Sequence, residues 1–150
     1  MSTGAEMCQN PQECQRRSAS WQRGSQAAAI DDAGSLHLLA LAQNWDFQLT
    51  RHSYARELQR AVSKPQLVRC IKTGTLIQTR MDRGQRRTLF LSTLVSPNGT
   101  VQPIHFVLEY FPENKVVEVV TVYDPRSKGW MWSDDFKTKV CFCNPPHDVY

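Results

Sequence analysis

His52, Arg56 and Arg60 recur at intervals of four residues. On a helix advancing about 100° per residue they fall within roughly 80° of one another, while Ala55, Leu58 and Val62 gather on nearly the opposite side. One face of such a helix docks on a core and the other presents an imidazole and two guanidinium groups in a row. Guanidinium groups grip phosphate bidentately and stay charged at physiological pH. An imidazole both takes and gives a proton near neutrality. The set can hold a phosphodiester and move protons during attack on it. Taken alone, the same stripe is equally what the solvated face of an amphipathic helix presents.

The surrounding charge favours a polyanion. Ten of the eighteen Lys and Arg residues but only two of the fourteen Asp and Glu lie between Arg51 and Phe90. Clustered cations sum their potentials within a Debye length, whereas mixed charges cancel. Nucleic acid is the leading partner class. Arg51 beside the stripe, and Arg80, Arg83, Arg86 and Arg87 around a turn, would extend the basic surface along an RNA backbone, each phosphate contact making affinity fall with salt. The same arginines also suit a soluble hairpin tip or a contact for an acidic inhibitor protein.

With 41% hydrophobic residues in 150, the chain is expected to form one globular domain with appended segments. No apolar run approaches the roughly 20 residues of a membrane span. Met1 to Gln26 lacks a hydrophobic signal core, so a cytoplasmic protein with no membrane association is expected. Cys8, Cys14, Cys70, Cys141 and Cys143 make an odd count, which argues for reduced thiols over a disulfide framework. Cys141, Cys143 and His147, with Cys8 or Cys14, offer enough ligands for zinc, but no Cys-x-x-Cys pair is present. Structural thiols and no metal or other cofactor are the expectation, with a small zinc-dependent factor the weaker reading.

The elements that must position these groups follow from composition and periodicity. Residues 1–25 are polar and are expected to be mobile. Residues 26–46 suggest one or two accessory helices broken at Gly34, with Ser35 capping the second. Residues 47–125 read as two helices followed by an antiparallel meander. The first helix is capped by Thr50 or Ser53 and runs to about Val62. The second starts at Ser63-Lys64-Pro65 and ends at Gly74 in the left-handed conformation glycine tolerates. Strands are expected over Thr75–Thr79, Thr88–Val95, Val101–Phe111 and Val116–Tyr123, joined by turns at Asp82-Arg83-Gly84, Ser96-Pro97-Asn98-Gly99 and Pro112–Lys115. Residues 126–150 form an extension packing on the domain through Trp130 and Trp132, with a last strand from Lys137 to Phe142. The fold class is α+β: N-terminal helices on a twisted antiparallel sheet of about four to five strands.

His52-x-x-x-Arg56-x-x-x-Arg60-Ala61-Val62-Ser63, then Gln66 to Ile77 with Gly74, and Val119-Val120-Thr121-Val122-Tyr123 resemble together a small bacterial and phage domain family of unassigned function. That family carries a helix with H-x-x-x-R-x-x-x-R-G-I-S/T, a second helix ending in glycine, and a late strand reading about I-T-V-Y. It is grouped with the barnase/EndoU/colicin/RelE-like ribonuclease toxins. The resemblance covers about residues 47 to 125. Ala61 stands where the family has glycine, and the 80–118 segment is longer than in a minimal member.

The resemblance implies a RelE/barnase-like domain and metal-independent RNA cleavage, in which the 2′-hydroxyl attacks the adjacent phosphate and the 5′-oxygen leaves. Such chemistry needs a base, an acid and cations facing the phosphorane. His52 would be base or acid, and Arg56 and Arg60 would hold phosphate, Arg60 being alternatively structural. Tyr123 with Thr121, on one strand face by alternation, would complete the site. Tyr123 is equally well explained as a half-buried packing residue, and His105 with Glu109 as an acid/base pair or a solvent-facing strand side. A toxin-like nuclease implies an antitoxin or immunity protein as partner, besides free or ribosome-bound RNA. The alternative is a non-catalytic basic module of a phage or mobile element that binds RNA or an acidic protein.

Overall fold

The computed structural model describes residues 8–28, 32–49 and 63–143. Among them the elements are α1 (Pro11–Ala28), α2 (Asp32–Ala42), β1 (Asp46–Leu49), α3 (Lys64–Thr73), β2 (Thr75–Asp82), β3 (Gln85–Val95), β4 (Val101–Phe111), β5 (Val116–Tyr123) and a 3-10 helix, η1 (Pro125–Met131). The five strands form one sheet in the order β1-β5-β4-β3-β2. The class is α+β, as expected. The sheet is mixed, because β1 joins the outer edge of β5 in parallel, Phe47 opposite Val117, while the other pairs are antiparallel.

Local chemistry explains the meander and the helix before it. Ser63 and Gln66 form a reciprocal capping box, with Pro65 in the first turn of α3. Leu67, Cys70 and Ile71 recur at helical spacing and are buried on the sheet. In the β2–β3 turn Arg83 and Gly84 both have positive φ, 53° and 80°, the two-residue conformation whose twist matches paired strands. Long alternating runs in β3 and β4 pair from Val95–Val101 to Arg86–Tyr110.

The sheet separates two cores. On one face Phe90, Ile104, Phe106, Leu108, Val117, Val119 and Val122 meet α2 and α3, with Trp45 and Phe47 closing the β1 edge. On the other face Ile77, Leu89 and Val107 meet Trp21 of α1 and the C-terminal Trp130, Met131, Trp132 and Phe136. Consecutive Val107 and Leu108 of β4 pair with Thr121 and Val119, so Val120 is the extra residue of a bulge in β5.

Several expectations are corrected. The 18-residue helix α1 starts within the polar segment of residues 1–25, where no helix was expected, and runs on to Ala28. Asn10 accepts from the Glu13 N–H at its start, and Trp21 anchors its middle with an indole N–H donated to Lys137 O at 2.9 Å. A few tertiary anchors thus compensate for poor apolar content. Helix α2 runs unbroken through Gly34 and supplies Ala40, Leu36 and Leu41 to the main core, so it is integral rather than accessory. Gly74 has φ −72° and ψ 159°, extended rather than left-handed. Space rather than backbone angle favours glycine there, since a Cβ would meet Cys70 O at 3.2 Å and Leu91 O at 3.3 Å, both tight contacts. Among the described residues, Lys137 to Phe142 forms no strand, only a single bridge of Lys139 with Trp132. The helix expected from Thr50 or Ser53 to Val62 lies outside the described residues.

Candidate nucleic-acid interface

Arg51, His52, Arg56 and Arg60 lie outside the described residues. The other arginines are placed by the β2–β3 hairpin. Arg80 and Arg87 are cross-strand partners, as are Met81 and Arg86, so Arg80 and Arg87 share one face and Arg86 takes the other, opposite Tyr110. Arg83 is exposed in the turn. The Arg87 guanidinium is ion-paired with Glu109, its neighbour across β3–β4, and both are largely shielded from solvent. The four arginines therefore do not make one surface: Arg87 is committed to the sheet.

Arg80 belongs to a cleft of about 530 Å³ between α1, β2 and the C-terminal segment, with no acidic residue among the described residues that line it. Helix α1 brings Arg17 and Trp21, β2 brings Gln78 and Arg80, and the C-terminal segment brings Lys139 and Phe142. Its floor depends on a close helix–strand approach. A Cβ on Gly24 would come within 2.9 Å of the Gln78 side chain, and that carboxamide donates to Trp21 O and to Ser25 Oγ.

The cations converge on an aromatic ring. The Arg17 guanidinium carbon stands 4.4 Å from the centroid of Phe142, and Lys139 Nζ stands 5.0 Å from it. Arg17 and Arg80 are exposed, whereas Lys139 is only 3% exposed. Burial pulls the Lys139 ammonium down to about 8, helped by repulsion from Arg17 and Arg80. An oligoanion entering here would meet two guanidiniums at the mouth and an ammonium behind them. Arg80 was among the arginines expected on the basic surface; Arg17 and Lys139, each remote from the basic block in sequence, are brought beside it only by tertiary packing.

Thr121 and Tyr123 share the second core's face, through partners Val107 and His105. The Thr121 side chain is buried, and its hydroxyl finds no hydrogen-bond partner among the described residues. Tyr123 is half-buried. His105 is fully buried, with Nε2 2.8 Å from Phe136 O and Nδ1 3.1 Å from Tyr123 Oη. Burial pushes this imidazole down to about 4, against smaller opposing effects of Phe136 O and Asp124, so it is neutral at pH 7. Because a carbonyl only accepts, Nε2 carries the proton and Nδ1 accepts from the Tyr123 hydroxyl. Trp132 packs edge-on against the ring at 4.4 Å. Glu109 bonds Arg87, so His105 and Glu109 do not form a pair.

Four of the five cysteines come together. The sulfurs of Cys8, Cys14, Cys141 and Cys143 all lie within 4.8 Å of one another. Cys70 stands apart on α3, donating to Thr93 O at 3.1 Å. The signal available in the sequence was the pairing of two cysteines near each end of the chain. His147 lies outside the described residues.

Comparison with protein-family models, with curated proteins and with solved structures finds no significant match to this chain.

Proposed function

We propose that the protein binds RNA by its phosphate backbone, through a basic surface that includes the α1–β2 cleft. The observation that carries this reading is that Arg17, Arg80 and Lys139 line one cleft, Arg17 and Lys139 over the Phe142 ring, with no acidic residue among the described residues that line it. Backbone phosphates supply sequence-independent affinity, and two exposed guanidiniums suit them better than point charges would. The concentration of basic residues between Arg51 and Phe90 supports a footprint larger than the cleft. None of the five cysteines is in a disulfide, which suits a reducing cytoplasm. No helix among the described residues is long and apolar enough to cross a membrane.

A second reading is favoured by the four-residue spacing of His52, Arg56 and Arg60: metal-independent cleavage of the bound RNA, held in check by an acidic antitoxin or immunity protein. Tyr123 contributes less to it than the motif implies, because its hydroxyl is engaged by His105.

One experiment separates the two. Wild type, His52→Ala and Arg17→Ala are incubated with RNA in chelator, and bound and cleaved fractions are measured together. Binding weakened by Arg17→Ala without any cleavage is expected of the binding module. Cleavage lost in His52→Ala with binding retained identifies the nuclease. Absence of wild-type binding to any RNA at low salt overturns both.

A further inference from the structure

We propose that Cys8, Cys14, Cys141 and Cys143 bind one zinc ion as a tetrahedral tetrathiolate that ties the start of α1 to the C-terminal segment. The four sulfurs already lie within 4.8 Å of one another, and Cys14 and Cys143 stand 3.6 Å apart although 129 positions separate them. A zinc tetrahedron with Zn–S bonds of about 2.3 Å has S···S edges of about 3.8 Å. No edge of the cluster therefore exceeds that of a zinc tetrahedron by more than about 1 Å. Four sulfurs mutually in reach, rather than two isolated pairs, is the metal pattern. A closed set of four soft thiolates selects zinc and leaves no open position, so the site is structural, not catalytic.

Backbone hydrogen bonds hold two of the four sulfurs in place. The Phe142 N–H donates to Cys14 Sγ at 3.3 Å, and the backbone at Gln9 and Asn10 bonds the Cys143 sulfur. Then there is Lys139, 3% exposed, with no carboxylate pairing its ammonium among the described residues. A buried unpaired cation is costly. Zinc binding displaces the thiol protons and leaves a centre of net charge about −2. Lys139 supplies counter-charge from the cleft side, and Arg17 and Arg80 remain at the mouth for phosphate. The site stands independently of the RNA reading, since neither its ligands nor its test involves RNA.

The intact chain, purified under reducing conditions from zinc-supplemented medium, is expected to hold about one zinc per molecule. Exchange with Co2+ should give the visible absorption of a tetrahedral tetrathiolate. Cys14→Ser and Cys143→Ser should each weaken Co2+ binding at least about tenfold, whereas Cys70→Ser should retain it. If the serine variants do not fold, the wild-type cobalt spectrum still decides. Little or no zinc with a silent cobalt spectrum overturns the proposal. So does iron in place of zinc, or a mass deficit showing thiol hydrogens lost to disulfides.

Discussion

The Tyr123 hydroxyl donates to His105 Nδ1 across 3.1 Å, and the opposite ring nitrogen donates to Phe136 O. Phe136 itself sits at φ 61°, an uncommon conformation for an aromatic residue, which brings its carbonyl to the imidazole. The relay joins β5, β4 and the C-terminal segment, and gives the phenol a structural role. Tyr123→Phe keeps the ring and removes the donor to a buried nitrogen. It should lower unfolding free energy by about 1–2 kcal/mol in urea titrations and leave RNA affinity unchanged. An unaltered stability together with abolished RNA cleavage would instead place the phenol in a reaction.

Acid should destabilise the fold earlier than carboxylate protonation would. Burial holds His37 and His105 down at about 4, while the unfolded chain protonates them near 6.5. Between those values the unfolded state binds more protons, so stability falls as pH drops from about 6.5 towards 4 and is flat in this respect above 7. Each histidine accounts for about 2 kcal/mol lost by pH 5. Urea unfolding at pH 7.5 and pH 5, with NMR of the imidazole ring protons, measures both. Imidazoles that titrate near 6.5, with a stability unchanged at pH 5, would contradict the burial account.

Gly74→Ala sets two effects against each other. With φ at −72°, alanine would restrict the unfolded chain at no backbone cost, a gain of about 0.4–1 kcal/mol. Its methyl would press on Cys70 O and Leu91 O, backbone atoms of a helix end and a central-sheet strand that have little room to yield. Overpacking of this kind costs about 1–3 kcal/mol. Net destabilisation of about 1 kcal/mol is therefore expected in thermal or urea unfolding. A stabilised variant would show that the α3–β2 junction relaxes.

Much of this architecture was legible because local signals agreed with the global fold. Ser63, Pro65 and Gln66 announce α3, and Val101–Phe111 and Val116–Tyr123 read directly as β4 and β5. What escaped depends on contacts distant in sequence. Helix α1 is too polar to announce itself, and is held by contacts of Trp21, Gln78 and the cysteine cluster that span between 53 and 129 residues of sequence. The four-residue strand β1 has a single buried side chain, Phe47, and acquires its identity only by pairing with β5. The same holds for the cleft. Arg80 belonged to a visible basic block, whereas Arg17 and Lys139 look like ordinary surface charges until α1 and the C-terminal segment meet.

The most direct test of the RNA-binding account is the salt dependence of affinity for a labelled single-stranded RNA, compared between wild type and Arg17→Glu/Arg80→Glu. Both side chains are exposed at the cleft mouth, so their reversal should leave the fold intact by circular dichroism. The account predicts a steep fall of wild-type affinity with salt, and at least about tenfold weaker binding with a shallower slope in the variant. Equal affinity and equal slope in the two proteins would contradict it.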